Sequence, residues 1–247
     1  MIKEELLQRS PIRILEKSIQ GGLKAGEIGI IASVNGIGKT SVLVQLALDK
    51  LLQGKKVIHV SFTQHTHYVL AWYENIFSEF ISRKNLENLN EVKNELVKNR
   101  VLMNFSQDGI SNDQILKSLR AMIVEGCFSA EAVIIDGFDF SRASNEAIAN
   151  IKTFALELGL SVWYSCNVPE YPAEPKGRGS PPVKDQQYDK QNIPLLLKDI
   201  AGIIDVVIVM KPKADHIELS ISKNRDSVNA KAMAMRLDPK TLLIFEG

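Results

Sequence analysis

The sequence predicts an α/β fold: a mostly parallel sheet with helices on both faces and antiparallel strands at its carboxy-terminal end. Three observations carry that expectation. Short apolar runs bounded by turn residues alternate repeatedly with longer stretches of helical periodicity, the pattern of right-handed crossovers in a parallel sheet. A glycine-rich turn, "SVNGIGKTS", joins the first apolar run to the first long helical stretch. From residue 216 the apolar pattern changes to period two, which marks antiparallel strands.

The elements follow in order. Residues 11–19 read as a short helix (about 10–20), with Pro11 at the permitted first position and Gly21-Gly22 as its stop. "EIGIIAS" (27–33) is a buried strand. From Lys39 to Gln53, Val42, Leu43, Leu46, Ala47 and Leu51 recur at helical spacing, and Gly54 suits the position after the helix. "KVIHVSF" (56–62) is a second strand. Residues 68–100 read as mostly helical, with Leu86, Leu89, Val92 and Leu96 on one face. "VLMNF" (101–105) is a third strand. Ser111 with Gln114 forms a capping-box pattern ahead of Ile115, Leu116, Leu119 and Ile123. "AVIID" (132–136) is an apolar strand ending in an aspartate, a helix runs from Ser144 to Leu158, and "LSVWYSC" (160–166) is the next strand. Residues 168–194 hold six of the nine prolines and read as a long mobile loop. Strands at 205–211, 216–222, 231–237 and 241–245 complete a single domain spanning 1–247.

Composition narrows the class. The 45% hydrophobic and 24% charged residues are ordinary for a soluble globular protein. A net charge of +1 argues neither for nor against nucleic acid, because a local patch can hide in a neutral total. Two cysteines, Cys127 and Cys166, make neither a metal spacing nor a disulfide framework, which fits a reducing cytoplasm. The charged amino terminus is not a secretory signal, and no apolar run is long enough to span a membrane.

The turn at Ser33–Ser41 carries the chemistry. A strand that ends in such a turn, with a helix starting directly after it, aims backbone N–H groups and a helix dipole at a phosphate. Gly36 and Gly38 let the backbone curl, Lys39 reaches the β- and γ-phosphates, and the Thr40 hydroxyl holds Mg²⁺. Asn35, Ile37 and Ser41 complete the expected ATP site. The full motif has glycine where this chain has Ser33. Asp136, at the end of an apolar strand, supplies the acid that orients the Mg²⁺-bound water. Asp139 reads as a loop or capping residue. His65 and His67, two apart, are a candidate metal pair with no evident third ligand, and His59 reads as a core residue.

Several stretches together resemble the RecA-like P-loop ATPases, and within them the DnaB helicase core and KaiC. They are "GGLKAGEIGIIASVNGIGKTSVLVQLAL", "VLMNFSQDGISNDQILKSLRAMIVEGCFSAEAVIIDGFDF", and "PLLLKDIAGIIDVVIVM" followed by "SISKNRDSVNAKAMAMRLDPKT". The likeness covers roughly residues 20–245. It implies that Lys223 and Arg225 reach, in trans, the γ-phosphate bound by a neighbouring subunit of a homo-oligomeric ring or filament. It also implies a catalytic glutamate after the second strand, where this chain has Thr63 and Gln64 instead. Neither has a titratable group to act as general base at neutral pH; Gln64 can at most orient a water. The family's polar sensor falls at Cys166 or Asn167, depending on register, and of the two Asn167 suits a γ-phosphate sensor.

The residues ahead of Ser33 leave no room for the separate amino-terminal domain of a replicative helicase. The 168–194 loop is where RecA-like proteins contact single-stranded DNA. Its Lys176, Arg178, Lys184 and Lys190 are balanced by Glu170, Glu174, Asp185 and Asp189, though Tyr171 and Tyr188 could stack on bases. A protein partner is the other candidate for that loop. Three readings follow: an ATP-binding switch or assembly factor with weak or absent hydrolysis, an ATPase motor on single-stranded DNA, or a scaffold with a decayed nucleotide site.

Overall fold

The structure is a computed structural model that describes residues 2–8, 10–63, 65–82, 89–106, 108, 110–169, 187–227 and 231–247. One nine-stranded sheet organises it. The strands are β1 (Ile28–Ser33), β2 (Lys56–Ser61), β3 (Arg100–Asn104), β4 (Ala130–Asp136), β5 (Ser161–Asn167), β6 (Val206–Pro212), β7 (Ile217–Asn224), β8 (Lys231–Leu237) and β9 (Ile244–Glu246). Their order is β3-β2-β4-β5-β1-β6-β7-β8-β9. The first six are mutually parallel and the last three run antiparallel. This is the expected α/β sheet, and the change to period two from residue 216 coincides with the change from parallel to antiparallel pairing at β7.

Two apolar layers cover the sheet, because alternate residues of each parallel strand face opposite sides. On one face Val57, Ile134, Trp163 and Ile208 meet α1 (Ile2–Gln8), α2 (Ile12–Ser18), α3 (Lys39–Leu52), α4 (Thr66–Ser82) and α5 (Leu89–Lys98). On the other, Ile58, Ile135, Val162 and Val207 meet α6 (Asn112–Arg120) and α7 (Asn145–Glu157). The capping box at Ser111 and Gln114 forms as its sequence predicts, with Ser111 Oγ accepting from Gln114 N at 3.3 Å and Gln114 Oε1 from Ser111 N at 2.8 Å. A π-helical turn, Ala121–Glu125, continues α6.

Three boundaries differ from the sequence reading. The helical stretch expected over 68–100 is two helices, α4 and α5, and β3 already begins at Arg100; Leu86 lies outside the described residues. The amino-terminal helix α1 was not expected, since its sequence is short and charged and, among its described side chains, Leu6 alone is fully buried. The last strand starts at Ile244 rather than 241, because Asp238 holds Lys240 N and Thr241 Oγ1 in a turn that extends to Leu242. Of the 168–194 loop, 170–186 lie outside the described residues. Its two ends are anchored by buried Val168 and Ile193. Among the described residues no helix is long and apolar enough to cross a membrane.

The end of the sheet where β1 and β6 begin is tied by one side chain. Arg225, just past β7, uses all five of its guanidinium N–H groups. They reach both carboxylate oxygens of Glu27 at 2.8 Å, and the Ile19 carbonyl, the Gly22 carbonyl and Asn224 Oδ1 at 2.9 Å. Burial works to raise the Glu27 pKa, but the Arg225 hydrogen bonds, the Lys24 N–H and both positive charges outweigh it and lower the value. The pair therefore joins the turn after α2, the entry to β1 and the exit of β7. Arg225→Met is expected to cost about 3 kcal/mol in urea denaturation, the usual loss when one partner of a buried pair is removed. Arg225→Lys should recover only part of it, since an ammonium cannot span the five acceptors. A cost below about 1 kcal/mol would reduce the cluster to an ordinary surface pair.

Candidate phosphate-binding site

The candidate site lies where β1, β2, β4 and β5 end. β1 runs to Ser33, and α3 starts six residues later at Lys39. Gly36 (φ +77°) and Gly38 (φ +101°) both occupy the left-handed region, which only glycine enters without strain. Gly38 has a second reason: a Cβ there would sit 2.8 Å from Leu237 Cδ2, so the turn between β8 and β9 closes against this loop. Buried Gln45 fastens that turn to α3, donating to Leu242 O (2.9 Å) and accepting from Ile244 N (2.9 Å).

No side chain caps the start of α3. Gly36 N donates to Asn35 Oδ1 at 3.1 Å, but the N–H groups of Ile37, Gly38, Lys39, Thr40 and Ser41 have no hydrogen-bond partner among the described residues. Open N–H donors at the positive end of a helix are the elements from which an anion site is built.

Lys39 is 7% exposed and lies back over the loop. Its ammonium donates to Val34 O (2.8 Å), Ser33 O (3.1 Å) and Ser33 Oγ (3.2 Å), which satisfies all three donors with neutral acceptors. Ser33 therefore supplies an acceptor that the motif's glycine would lack. Ser33 Oγ in turn donates to Val34 O at 2.9 Å. Burial without a contacting anion lowers the Lys39 pKa to about 8, against a smaller opposing pull from Cys166 and Asp136.

Asp136 and Thr40 meet directly, Thr40 Oγ1 donating to Asp136 Oδ2 at 2.8 Å. The other carboxylate oxygen accepts from Ser165 Oγ at 2.6 Å, and Ser165 Oγ accepts from Gly137 N at 2.8 Å. Sequence reasoning missed Ser165. Its signal was the strand period: Ser165 and Asn167 lie two apart on β5 and so share the face that carries Asp136. The same period puts Cys166 and Asn167 on opposite faces of β5. Cys166 is fully buried in the opposite layer, its thiol pushed up to about 12 by burial. Asn167 is exposed, level with Ser33 across the β1–β5 pairing.

At the exit of β2, Thr63 packs on the carbon-bare face of Gly137, where a Cβ would lie 2.5 Å from Thr63 Cγ2. A hydroxyl therefore stands beside Gly137 at one of the two positions, Thr63 or Gln64, where the resemblance places a glutamate. Gln64 lies outside the described residues. Asp139 caps its own turn, accepting from Ser141 N at 2.9 Å, as the sequence suggested. His59 is fully buried against Tyr73, as expected of a core residue. His65 and His67 stack at 5.9 Å, and among the described residues no group of three or more His, Cys, Asp or Glu could hold a metal.

Lys223 and Arg225 lie at the other end of the sheet and are engaged within the chain. Lys223 Nζ donates to the Ile204 carbonyl at 2.5 Å and also to that of Ala201, while Arg225 is the five-bonded centre described above. Tyr188 is half-buried, with Lys211 Nζ 4.4 Å from its ring centre, so one face is already taken; Tyr171 lies outside the described residues. Compared with known proteins, the chain matches no family model and no curated protein.

The geometry sets a titration for Lys39. Its folded pKa of about 8 lies below the 10.5 usual for a lysine, so the folded state binds fewer protons between those values. The empty protein should then gain stability, through this group, as pH rises from 8 to 10.5, and lose that gain as pH falls back through 8. In a ¹³Cε-lysine NMR titration one resonance should move with a midpoint near 8 and vanish in Lys39→Arg. A full set of lysines titrating above 10 would contradict the burial argument.

Proposed function

We propose that this protein is an ATP-binding switch or assembly factor of the RecA-like kind its sequence resembles, with weak or absent hydrolysis. The observation that carries the reading is the uncapped start of α3: five N–H groups without partners, with a buried lysine beside them. The open N–H groups and the buried ammonium, held only by neutral oxygens, would both gain from an anion. A polyphosphate would satisfy all of them. In the proposed complex the N–H groups of residues 37–41 hold the β-phosphate, and Lys39 leaves Ser33 and Val34 to reach the β- and γ-phosphates. Asn167 faces the γ-phosphate as its sensor.

The residues also fit Mg²⁺. Thr40 Oγ1 and the Asp136 carboxylate form an all-oxygen donor set of the kind this hard cation prefers, already within 2.8 Å of each other. Mg²⁺ held there would neutralise charge on the β- and γ-phosphates. Ser165 keeps Asp136 oriented for that role, since one oxygen is held and the other is left to the Thr40 side.

Two observations favour a switch over a motor. Thr63 cannot take a proton from water, and Asp139 is spent on its own cap. Arg225 would have to give up five hydrogen bonds, and Lys223 two carbonyls, before either could reach a neighbour's γ-phosphate. ATP would therefore act by ordering the loop and its surroundings, and the readout would be assembly, with copies of this chain in a ring or filament or with a protein partner at the 168–194 loop. A protein partner is favoured over single-stranded DNA there by the balanced charge and the occupied face of Tyr188.

Mg-ATP should raise the melting temperature of wild type by mass action, and Lys39→Ala should remove most of the shift. Identical melting of the two proteins with and without Mg-ATP would leave the scaffold reading in its place. Turnover should be far below 1 s⁻¹, the lower end of the ordinary enzyme range. Thr63→Glu should raise it by about 10²-fold, the contribution expected of a general base. Wild-type turnover of about 1 s⁻¹ or more would move the protein into the motor class.

A further inference from the structure

A second cleft, of about 400 Å³, lies away from the phosphate loop, between α3, α4, α5 and the start of β3. Its walls are apolar: Leu48 from α3, Phe77 from α4, and Leu96 from α5. Arg100 opens β3 at the end of the sheet opposite Asp136, and its guanidinium lies 4.1 Å from the ring centre of Tyr73. Tyr73 cannot swing aside, because its hydroxyl is held 3.1 Å from Nδ1 of fully buried His59.

Arg100 differs from the other arginines for which the structure gives partners. Arg13, Arg120, Arg142 and Arg225 each grip a carboxylate. Arg100 is half-buried, and among the described residues its guanidinium makes no hydrogen bond or ion pair. Burial lowers its pKa, which records the cost of desolvation; Tyr73 and Glu74 only partly offset it through longer-range attraction. Lys93 adds a second cation at the rim against the single Glu74. The cleft thus combines a rigid cationic fork, left without an acceptor, with apolar walls, in the size range of small-ligand sites.

We propose that this cleft binds a small amphiphilic carboxylate, its head group on Arg100 and its apolar tail along Leu48, Phe77 and Leu96. The planar fork matches a carboxylate with two parallel N–H···O bonds, which fixes both position and direction. The fixed Tyr73 ring presents the fork without further ordering, so little conformational entropy is lost on binding. The site is independent of the nucleotide reading, since none of these residues belongs to the phosphate loop.

The test is calorimetric titration of the full chain with three probes: octanoate, 1-octanol and acetate. Octanoate should bind at least tenfold more tightly than either of the others, because only it satisfies both halves of the cleft. Arg100→Gln should abolish the preference of octanoate over octanol. Val97→Trp, which fills the exposed rim and leaves Arg100 in place, should weaken octanoate at least tenfold, and it decides the matter if the Arg100 variant does not fold. Absence of octanoate binding, equal binding of octanoate and octanol to wild type, or unchanged octanoate binding in Val97→Trp would overturn the proposal.

Discussion

The structure is arranged around a helix with no free face. Of the fourteen residues of α3, all but Thr40 and Lys50 are buried. A helix in that position cannot send its polar atoms to water, so each must find a partner. Lys50 pairs with Glu16, Asp49 with Arg13 and Gln53, and Gln45 with the strand that ends the chain. These contacts hold α2, the β8–β9 turn and the sheet in fixed relation. The one end of α3 left without partners is its start, and Thr40 is the residue there that remains open. The unsatisfied end and the burial of the rest are two sides of one constraint: the neighbours that bury the body of α3 stop short at the edge where the strands end.

Charge is placed in the molecule by the same rule. Arg225 is half-buried and fully paired, so it acts as a structural tie. Lys39 is buried and satisfied only by neutral oxygens, so its proton is loosely held and its position is conditional. Arg100 is half-buried with no acceptor among the described residues. The three cations differ in what burial has left them, and that difference, more than their charge, separates a strut from a binding group. Ser33 belongs to this account. As a departure from the phosphate-loop motif it looks like a weakening; in the fold its hydroxyl is one of the three acceptors that hold Lys39 in the empty loop.

Most of the sheet was legible because its signals are local. The apolar runs, the period-two tail, the capping box at Ser111 and the glycine turn each depend on a few neighbouring residues, and the parallel-to-antiparallel change follows from them. The strand–turn–helix at Ser33–Lys39 and the place of Asp136 at a strand end were legible for the same reason. The split into two helices was not, because the sequence between Ser82 and Leu89 carries no glycine or proline to mark a stop. Helix α1 was hidden because tertiary contact at Leu6, rather than its own pattern, holds it.

What the sequence determined by itself was the order of elements and the residues that would stand at the strand ends: Ser33, Thr63, Asp136 and Asn167. What the tertiary structure decided was which of them meet. Thr40 and Asp136 are ninety-six positions apart and Asp136 and Ser165 twenty-nine, and their hydrogen bonds exist only because β4 pairs with β5 and α3 packs across both. The roles of Lys223 and Arg225 were decided there too, by partners at Ala201, Ile204 and Glu27 that no spacing rule could name. Local propensity writes the strands and turns, but an ion pair or a hydrogen bond between distant residues depends on register and burial, and those are properties of the packed sheet.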